Sequence, residues 1–143
     1  MTKPMPDEFL DTNVVVYAFS TDARASTAQQ LLERGCLINV QILNEFANVA
    51  RRKLKMSWTE LSDALDDIRT LCPTVAPVTL DTHTAGLQRA QRYGLSVFDG
   101  LVVAAALEAG CTTLWSEDMQ HGLVVDERLT ILNPFLDGES TPP

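Results

Sequence analysis

The sequence predicts an α/β fold, a three-layer α/β/α sandwich with a mainly parallel central sheet. Short apolar runs alternate along the chain with longer amphipathic stretches, a pattern typical of β-strands joined by crossover helices. The length of 143 residues suits a single hydrophobic core, because domains usually contain about 100 to 200 residues. We therefore expect one domain over residues 1–136 and a polar C-terminal tail at 137–143.

The first third of the chain predicts a strand, a helix and a second strand. The apolar pair at residues 9–10 predicts a strand that ends at Asp11, and residues 14–19 fit either its continuation or a short helix. A helix over residues 25–34 is ended by a glycine and is followed by a short apolar strand at 37–40.

Two further helices and an edge strand are expected in the middle of the chain. Residues 41–55 carry apolar side chains at spacings of three and four, as an amphipathic helix requires. Ser57 and Glu60 have the spacing of a capping box, which predicts a helix with Trp58 on its apolar side. The strand expected at residues 74–80 contains a proline and therefore belongs at a sheet edge.

The last third predicts two helices and two strands. Asp81 is expected to cap a helix that ends before a glycine, and Ser96 to cap an apolar helix over residues 97–109. Strands at 112–115 and 129–132 complete the sheet.

Composition narrows the class of protein. An apolar share of 45% and a charged share of 21% argue against a disordered chain. The longest apolar run, residues 101–107, is far shorter than the roughly 18 residues of a membrane span, and no secretory leader is visible.

Cys36, Cys72 and Cys111 lack zinc-site spacing and are expected to be buried thiols. These features predict a cytoplasmic protein.

Four carboxylates fall where functional groups gather in such a fold. Asp11 and Asp118 follow predicted strands, Asp99 lies in the first turn of the apolar helix, and Glu45 lies one turn into the third helix. Each alone has an ordinary explanation as a turn former, a helix-terminal acid or a solvent-facing side chain. Two carboxylates about 4 Å apart repel by roughly 4 kcal/mol at an effective dielectric constant near 20, so a converging group requires a cation.

The donor set indicates which cation is expected. Oxygen ligands without nearby histidine or cysteine favour Mg²⁺ or Mn²⁺ over Zn²⁺. One or two such ions suit hydrolysis of a phosphodiester, because they activate water and stabilise charge on the attacking and leaving oxygens. The net charge of −8 argues against a broad basic surface for nucleic acid, so the metals rather than the protein surface would meet the phosphate.

Four short motifs resemble those of the PIN-domain ribonucleases, and more narrowly those of the VapC-type toxins of bacterial toxin–antitoxin pairs. The motifs are FLDTNV at residues 9–14, the Asn44-Glu45 pair, residues 96–105, and SED at 116–118. Gly100 stands where this family usually has a small residue, often alanine. The resemblance covers residues 8–136, nearly the whole chain.

The resemblance implies metal-dependent cleavage of RNA, homodimers, and a small antitoxin that occludes the acidic site. It implies an acidic quartet of Asp11, Glu45, Asp99 and Asp118. We expect the three aspartates to hold the ions and Glu45 to complete the site or orient the water. Asn13 and Ser116 match supporting polar positions, and Glu117, at a variable position, either joins the metal site or faces water.

Two further features carry alternative interpretations. Four cations, Arg51, Arg52, Lys53 and Lys55, end the Glu45 helix, where they either complement the helix dipole or contact the RNA backbone. His121 follows the last acidic motif and is either a loop residue or an aid to proton transfer.

Two rival functions need residues that this chain lacks. A haloacid-dehalogenase-like phosphatase needs an aspartate where this chain has Asn13, and a phosphoacceptor receiver needs a late lysine, whereas the last lysine here is Lys55. A binding module that keeps the fold without nuclease activity is the remaining alternative.

Overall fold

Short strands and longer helices alternate through residues 7–136, the part of the chain that the computed structural model describes. Residues 1–6 and the expected tail at 137–143 lie outside the described residues. The strands are β1 Glu8–Leu10, β2 Ile38–Asn39, β3 Val75–Ala76, β4 Thr113–Trp115, β5 Val124–Val125 and β6 Leu129–Leu132. The helices are α1 Thr12–Ala18, α2 Ala25–Glu33, α3 Val40–Arg52, α4 Trp58–Leu71, α5 Leu80–Tyr93 and α6 Val97–Glu108.

The central sheet is mainly parallel, as predicted. Its strand order is β1-β4-β6-β5, with β1, β4 and β6 parallel and only β5 antiparallel to its neighbour. On the other side of β1, a parallel bridge between Phe9 and Leu37 leads to the parallel pair β2 and β3. The carboxyl ends of β1 and β4 therefore lie side by side.

Both faces of the sheet are covered. Phe9 and Leu10 are both fully buried although successive strand residues point to opposite faces, and the same holds for Leu114 and Trp115. α1 packs against α2 and α3, and α3 also packs against α4. α5 and α6 pack against each other. This arrangement confirms the three-layer prediction.

The crossing of α5 and α6 depends on two glycines. A Cβ atom on Gly100 would lie 2.4 Å from the carbonyl oxygen of Gly86 and 2.8 Å from the Cβ of Ala90. A Cβ on Gly86 would lie 2.5 Å from a methyl of Leu101. Because even alanine would force the helices apart, these glycines set the position of the first turn of α6, which carries Asp99.

Several local predictions require correction. Thr79, not Asp81, caps α5, and its hydroxyl accepts from the backbone N–H of Thr82 at 3.1 Å. Asp81 lies inside the first turn, because the extended backbone angles of a cap occur two residues earlier. The strand expected at 74–80 shrinks to Val75–Ala76, since the following Pro77 has no N–H for a ladder. Residues 14–19, which left two alternatives, lie largely in α1.

Trp58 does not belong to the apolar side of α4. The capping box of Ser57 and Glu60 forms as predicted, but Trp58, the first helical residue, is 70% exposed. Its ring packs beneath the guanidinium of Arg51, whose Cζ lies 4.1 Å from the ring centroid. The buried side of α4 begins one turn later at Leu61.

The three cysteines are buried and unbridged, in agreement with the sequence. Burial raises the pKa of each thiol, so the thiols stay protonated at neutral pH. Within residues 7–136, no helix has the length and apolar character needed to cross a membrane.

Candidate metal centre

Asp11 lies at the junction of β1 and α1 and is held by three hydrogen bonds. Its backbone N–H donates to the carbonyl oxygen of Trp115 at 3.0 Å, which joins it to the end of β4. One carboxylate oxygen accepts the N–H of Thr12 at 2.7 Å, and the other accepts the hydroxyl of Ser116 at 2.8 Å. With 5% exposure, this carboxylate is fixed in position and almost without water.

Asp118 is positioned by the two polar residues that the sequence identified as supports. The Ser116 hydroxyl, which donates to Asp11, also accepts the backbone N–H of Asp118 at 3.2 Å. The side-chain amide of Asn13 donates to Asp118 Oδ2 at 2.6 Å. Asn13 and Ser116 therefore tie the loop after β4 to the start of α1.

Asp99 completes a group of three. Its backbone N–H is capped by the Ser96 hydroxyl at 3.1 Å, so the cap that begins α6 also fixes the acid. One carboxylate oxygen from each of Asp11, Asp99 and Asp118 lies within 4.8 Å of the others. The structure thus brings together the three residues that the sequence predicts as metal ligands.

The electrostatics of this group favour a bound cation. Burial raises the pKa of Asp11 to about 6, the charges of Asp118 and Asp99 add to the rise, and the bonds from Ser116 and Thr12 oppose it. Burial and the charges of Asp99 and Glu117 also raise the pKa of Asp118. None of the three aspartates forms an ion pair with another residue of the described range 7–136. Three hard oxygen donors without a protein counter-charge fit Mg²⁺ or Mn²⁺.

Glu45 lies in the same cleft but is held differently. Its Oε1 accepts the hydroxyl of Thr12 at 2.5 Å, and its Oε2 accepts the side-chain amide of Gln41 at 3.2 Å. It is not one of the three clustered carboxylates, although it lines a cavity of about 250 Å³ with them. The other lining residues are Thr12, Asn13, Asn48, Val49, Phe98 and Val102.

Glu117 neither joins the three aspartates nor simply faces water. Its Oε1 accepts the hydroxyl of Tyr17 at 2.7 Å, and its Oε2 lies 3.5 Å from the guanidinium of Arg24. Arg24 also donates to the Tyr17 hydroxyl, and the Tyr17 ring packs edge-on against Phe135. This network anchors the residue before Asp118 to α1.

The remaining candidates lie outside the cavity. The Nδ1 atom of His121 accepts the backbone N–H of Asn133 at 2.9 Å, which fits a loop residue. Arg51 donates to the carbonyl oxygen of Met56 at 2.8 Å and covers Trp58, so it stabilises the turn after α3. Arg52, Lys53 and Lys55 are exposed.

Five cleft-lining residues were missed as site candidates, and the three that are polar or aromatic had a usable signal in the sequence. Thr12 follows Asp11 directly, and Phe98 precedes Asp99. Asn48 lies three positions after Glu45, which places it on the same side of the helix. Counting three positions along the helix from Glu45 would have identified Asn48 as a cleft residue.

The raised pKa of Asp11 predicts that this residue destabilises the protein when no metal is bound. Because the native pKa of about 6 exceeds the usual 3.8, the carboxyl is protonated more readily in the native state, and stability falls as pH rises from about 4 to about 6. A difference of this size corresponds to at most about 3 kcal/mol. Asp11→Asn retains the shape and an acceptor for Thr12, and its Nδ2 can donate to the Ser116 hydroxyl in place of the bond that the carboxylate accepts. It should therefore raise the free energy of unfolding by about 1 to 3 kcal/mol at pH 7.5 in EDTA.

Urea denaturation at pH 7.5 and pH 4 measures this effect. The increase in the free energy of unfolding caused by Asp11→Asn should shrink towards pH 4. Mg²⁺ should stabilise the original protein more than the variant. Asp63→Asn, at an exposed position of α4, is the control and should show no such gain. Destabilisation by Asp11→Asn in EDTA at pH 7.5 would contradict the electrostatic account.

Comparison with known proteins agrees with this geometry. No curated protein matches the sequence. Among solved structures, the chain is similar to VapC20 of Mycobacterium tuberculosis, described as a sarcin-ricin loop cleaving toxin, with 19% identity and a TM-score of 0.63 over 85% of this chain and 98% of that one. A toxin–antitoxin complex from Klebsiella pneumoniae gives 16% identity and a TM-score of 0.64, covering 90% and 98% of the two chains.

A third structure and a family match extend the comparison. VapBC2 of Rickettsia felis, bound to a DNA fragment from its promoter, gives 18% identity and a TM-score of 0.60 over 88% of this chain and 97% of that one. At these identities the structures establish a shared fold. The sequence model described as PIN domain matches residues 9–124, a span that includes Asp11, Glu45, Asp99 and Asp118. The chain therefore belongs to the PIN domain family.

Proposed function

We propose that the chain is a metal-dependent endoribonuclease that hydrolyses RNA phosphodiester bonds. The observation that carries this proposal is the convergence of Asp11, Asp99 and Asp118 within 4.8 Å, without a protein counter-charge among the described residues, at the carboxyl edge of a parallel sheet. Membership of the PIN domain family supports it independently of the geometry.

We propose Mg²⁺ or Mn²⁺, one or two ions, as the cofactor. When bound, such ions lower the pKa of the attacking water and neutralise charge on the phosphate. The chain would hold them with Asp11, Asp99 and Asp118, while Ser116 and Asn13 keep the carboxylates oriented. Glu45, whose two oxygens are already oriented by Thr12 and Gln41, would complete the site or accept a hydrogen bond from the water.

Cleavage of RNA should require a divalent metal and the clustered aspartates. EDTA should abolish it, and Asp11→Asn and Asp99→Asn should each lower the rate by about two orders of magnitude or more, because each removes a charge that holds the ion. Gel assays on single-stranded and structured RNA measure the rate, with circular dichroism to verify folding.

Matched controls separate this proposal from its rivals. Asp63→Asn removes an acid from the exposed side of α4 and should leave the rate unchanged. A folded protein that binds Mn²⁺ yet cleaves neither kind of RNA would instead be a nuclease-dead binding module. Activity on a phosphate monoester without activity on RNA would favour the phosphatase alternative, which the asparagine at position 13, in place of an acid/base aspartate, already disfavours.

We propose that RNA leaves the cleft along α3 towards its cationic end. Arg52 lies seven positions after Glu45, which places it on the same side of the helix about 10 Å along the axis. Lys53 and Lys55 add exposed charge nearby, whereas Arg51 is engaged with Met56 and Trp58. This geometry favours Arg52 as the backbone contact among the four cations.

Arg52→Gln should weaken RNA binding and reduce its dependence on salt. Removing one phosphate contact lowers the slope of log affinity against log salt concentration by about one. Anisotropy of a labelled RNA, measured with Asp99→Asn present in every protein to prevent cleavage, determines the slope. Arg69→Gln, an exposed cation of α4, is the matched control, and equal slopes for the two variants would contradict the proposed path.

We propose further that the protein is the toxin of a toxin–antitoxin pair, acts as a homodimer and works in the cytoplasm. Support comes from the similar structures, one of which is a toxin–antitoxin complex and another VapBC2 bound to a DNA fragment from its promoter. An acidic cleft that lacks a counter-charge among residues 7–136 is a suitable docking site for a basic side chain of such a partner.

The partner proposal predicts a short reading frame for a DNA-binding protein beside this gene. Co-expressed with the chain, its product should copurify and inhibit RNA cleavage at one partner per toxin. Size-exclusion chromatography with light scattering measures the stoichiometry and the oligomeric state, and an unrelated small protein is the control. Absence of such a frame would leave the nuclease proposal standing and remove the pairing.

A further inference from the structure

A second cavity opens beside the acidic cleft. It has a volume of about 160 Å³ and lies between the start of α3, the start of α5 and the first turns of α6. Glu45, Phe98 and Val102 line both this cavity and the cleft, so the two spaces share a wall. One ligand could therefore fill the second cavity with one group and place the adjoining group at the three aspartates.

One wall of this cavity presents an unpaired hydrogen-bond donor. Asn39 is only 3% exposed, and its Oδ1 accepts the backbone N–H of Ile42 at 3.0 Å, which caps α3. That bond fixes the side-chain amide so that Nδ2 is the free atom, and Nδ2 makes no hydrogen bond within residues 7–136. Because no fully buried polar atom of the described residues lacks a partner, Nδ2 keeps some solvent access, and Asn39 lines this cavity.

A second amide on the same wall supplies an acceptor. The Gln41 amide nitrogen donates to Glu45 at 3.2 Å, which leaves its carbonyl oxygen without a hydrogen bond in the described part of the chain. Thr82 is the third neutral polar residue that lines the cavity. Its hydroxyl already donates a hydrogen bond to Glu108 at 2.6 Å. The cavity thus offers one donor and one acceptor held at neighbouring positions.

The remaining walls are apolar and partly aromatic. Val78 and Leu101 line the cavity, and Phe98, which is 61% exposed, lies at the boundary with the acidic cleft. A ligand that fits has a flat apolar body, a polar edge with adjacent donor and acceptor, and no need for a counter-charge. A nucleobase has these properties, and asparagine, glutamine and aromatic side chains are the groups that proteins use to read and stack bases.

We propose that this cavity binds one nucleobase of the RNA strand whose phosphate lies at the aspartate cluster, with Phe98 as stacking partner and Asn39 and Gln41 reading the base edge. The proposal rests on the proposed nuclease function and assigns the cleavage site a base preference. A phosphate is a poor occupant, because the cavity is lined by Glu45 and has no cationic lining residue.

Side-chain amide resonances test the proposal without an activity assay. The protein, with Mg²⁺ present, is titrated with the 5′-monophosphates of adenosine, cytidine, guanosine and uridine, and with ribose 5-phosphate as the control without a base. At least one nucleotide should shift the Asn39 and Gln41 side-chain signals, and ribose 5-phosphate should leave them unchanged. The nucleotide with the largest shift identifies the preferred base.

Two substitutions sharpen the test. Phe98→Ala should weaken nucleotide binding by about fivefold to a hundredfold, the range that loss of one base–aromatic stack produces. Leu87→Ala, which removes a similarly exposed apolar side chain of α5 that does not line the cavity, should leave binding unchanged. Asn39→Ser keeps an oxygen to cap α3 while removing the amide, so it should reduce the difference in affinity between bases.

The outcomes separate this inference from the proposed function. If the protein cleaves RNA with metal but nucleotides leave both amides unshifted, or if Phe98→Ala behaves like Leu87→Ala, the base site is wrong and the nuclease stands. Equal shifts from ribose 5-phosphate would also overturn it, since a base would not be needed. Base-dependent shifts in a protein that cleaves no RNA would support the cavity and remove the nuclease.

Discussion

The repulsion among three carboxylates at one sheet edge is the constraint on which the rest of the site depends. Asp11, Asp99 and Asp118 come from three different elements. Hydrogen bonds hold the carboxylates of Asp11 and Asp118, and the Ser96 cap holds the backbone of Asp99. The Ser116 hydroxyl contributes most directly, because it donates to one aspartate and accepts from the backbone of another. These backbone and side-chain bonds position all three acids in one cleft.

The scaffold provides that rigidity through close backbone contacts. β1 and β4 pair in parallel, so Asp11 and the loop carrying Asp118 start from adjacent strand ends. α6 is brought close by the contact of Gly86 with Gly100, where a side chain of any size would displace the helix that carries Asp99. Burial of each large apolar side chain in the core contributes about 1.5 to 3 kcal/mol, which offsets the unfavourable burial of an acid.

Local sequence signals predicted most helix starts. They did not predict features that depend on packing between elements. Ser57 and Ser96 cap helices as predicted because a cap needs only its own turn. Strand β5 was missed, since two residues become a strand only through their partner β6. The exposure of Trp58 depends on how α3 and α4 pack, and the cavity beside Glu45 depends on how α3, α5 and α6 pack. The spacing of apolar residues within one helix predicts neither. Three of the four candidate acids converge and Glu45 lines the same cleft, which strand ends and helix starts in the sequence indicate. The hydrogen-bond partners of Glu45 and Glu117 have no such local signal.

The acidity of the chain limits how the proposed RNA substrate could be recognised. With a net charge of −8, the surface as a whole repels phosphates, and exposed acids such as Asp63, Asp66 and Asp67 line α4. Under the proposed function, affinity for an RNA backbone would come from bound metal and from a few cations such as Arg52. Neutral amides and an aromatic ring can discriminate bases without adding charge, so a base site beside the metals suits an acidic nuclease better than a wide basic groove. Discrimination between bases would accordingly be confined to the nucleotide next to the cleaved bond, while the contact of Arg52 with the RNA backbone would add affinity without sequence preference.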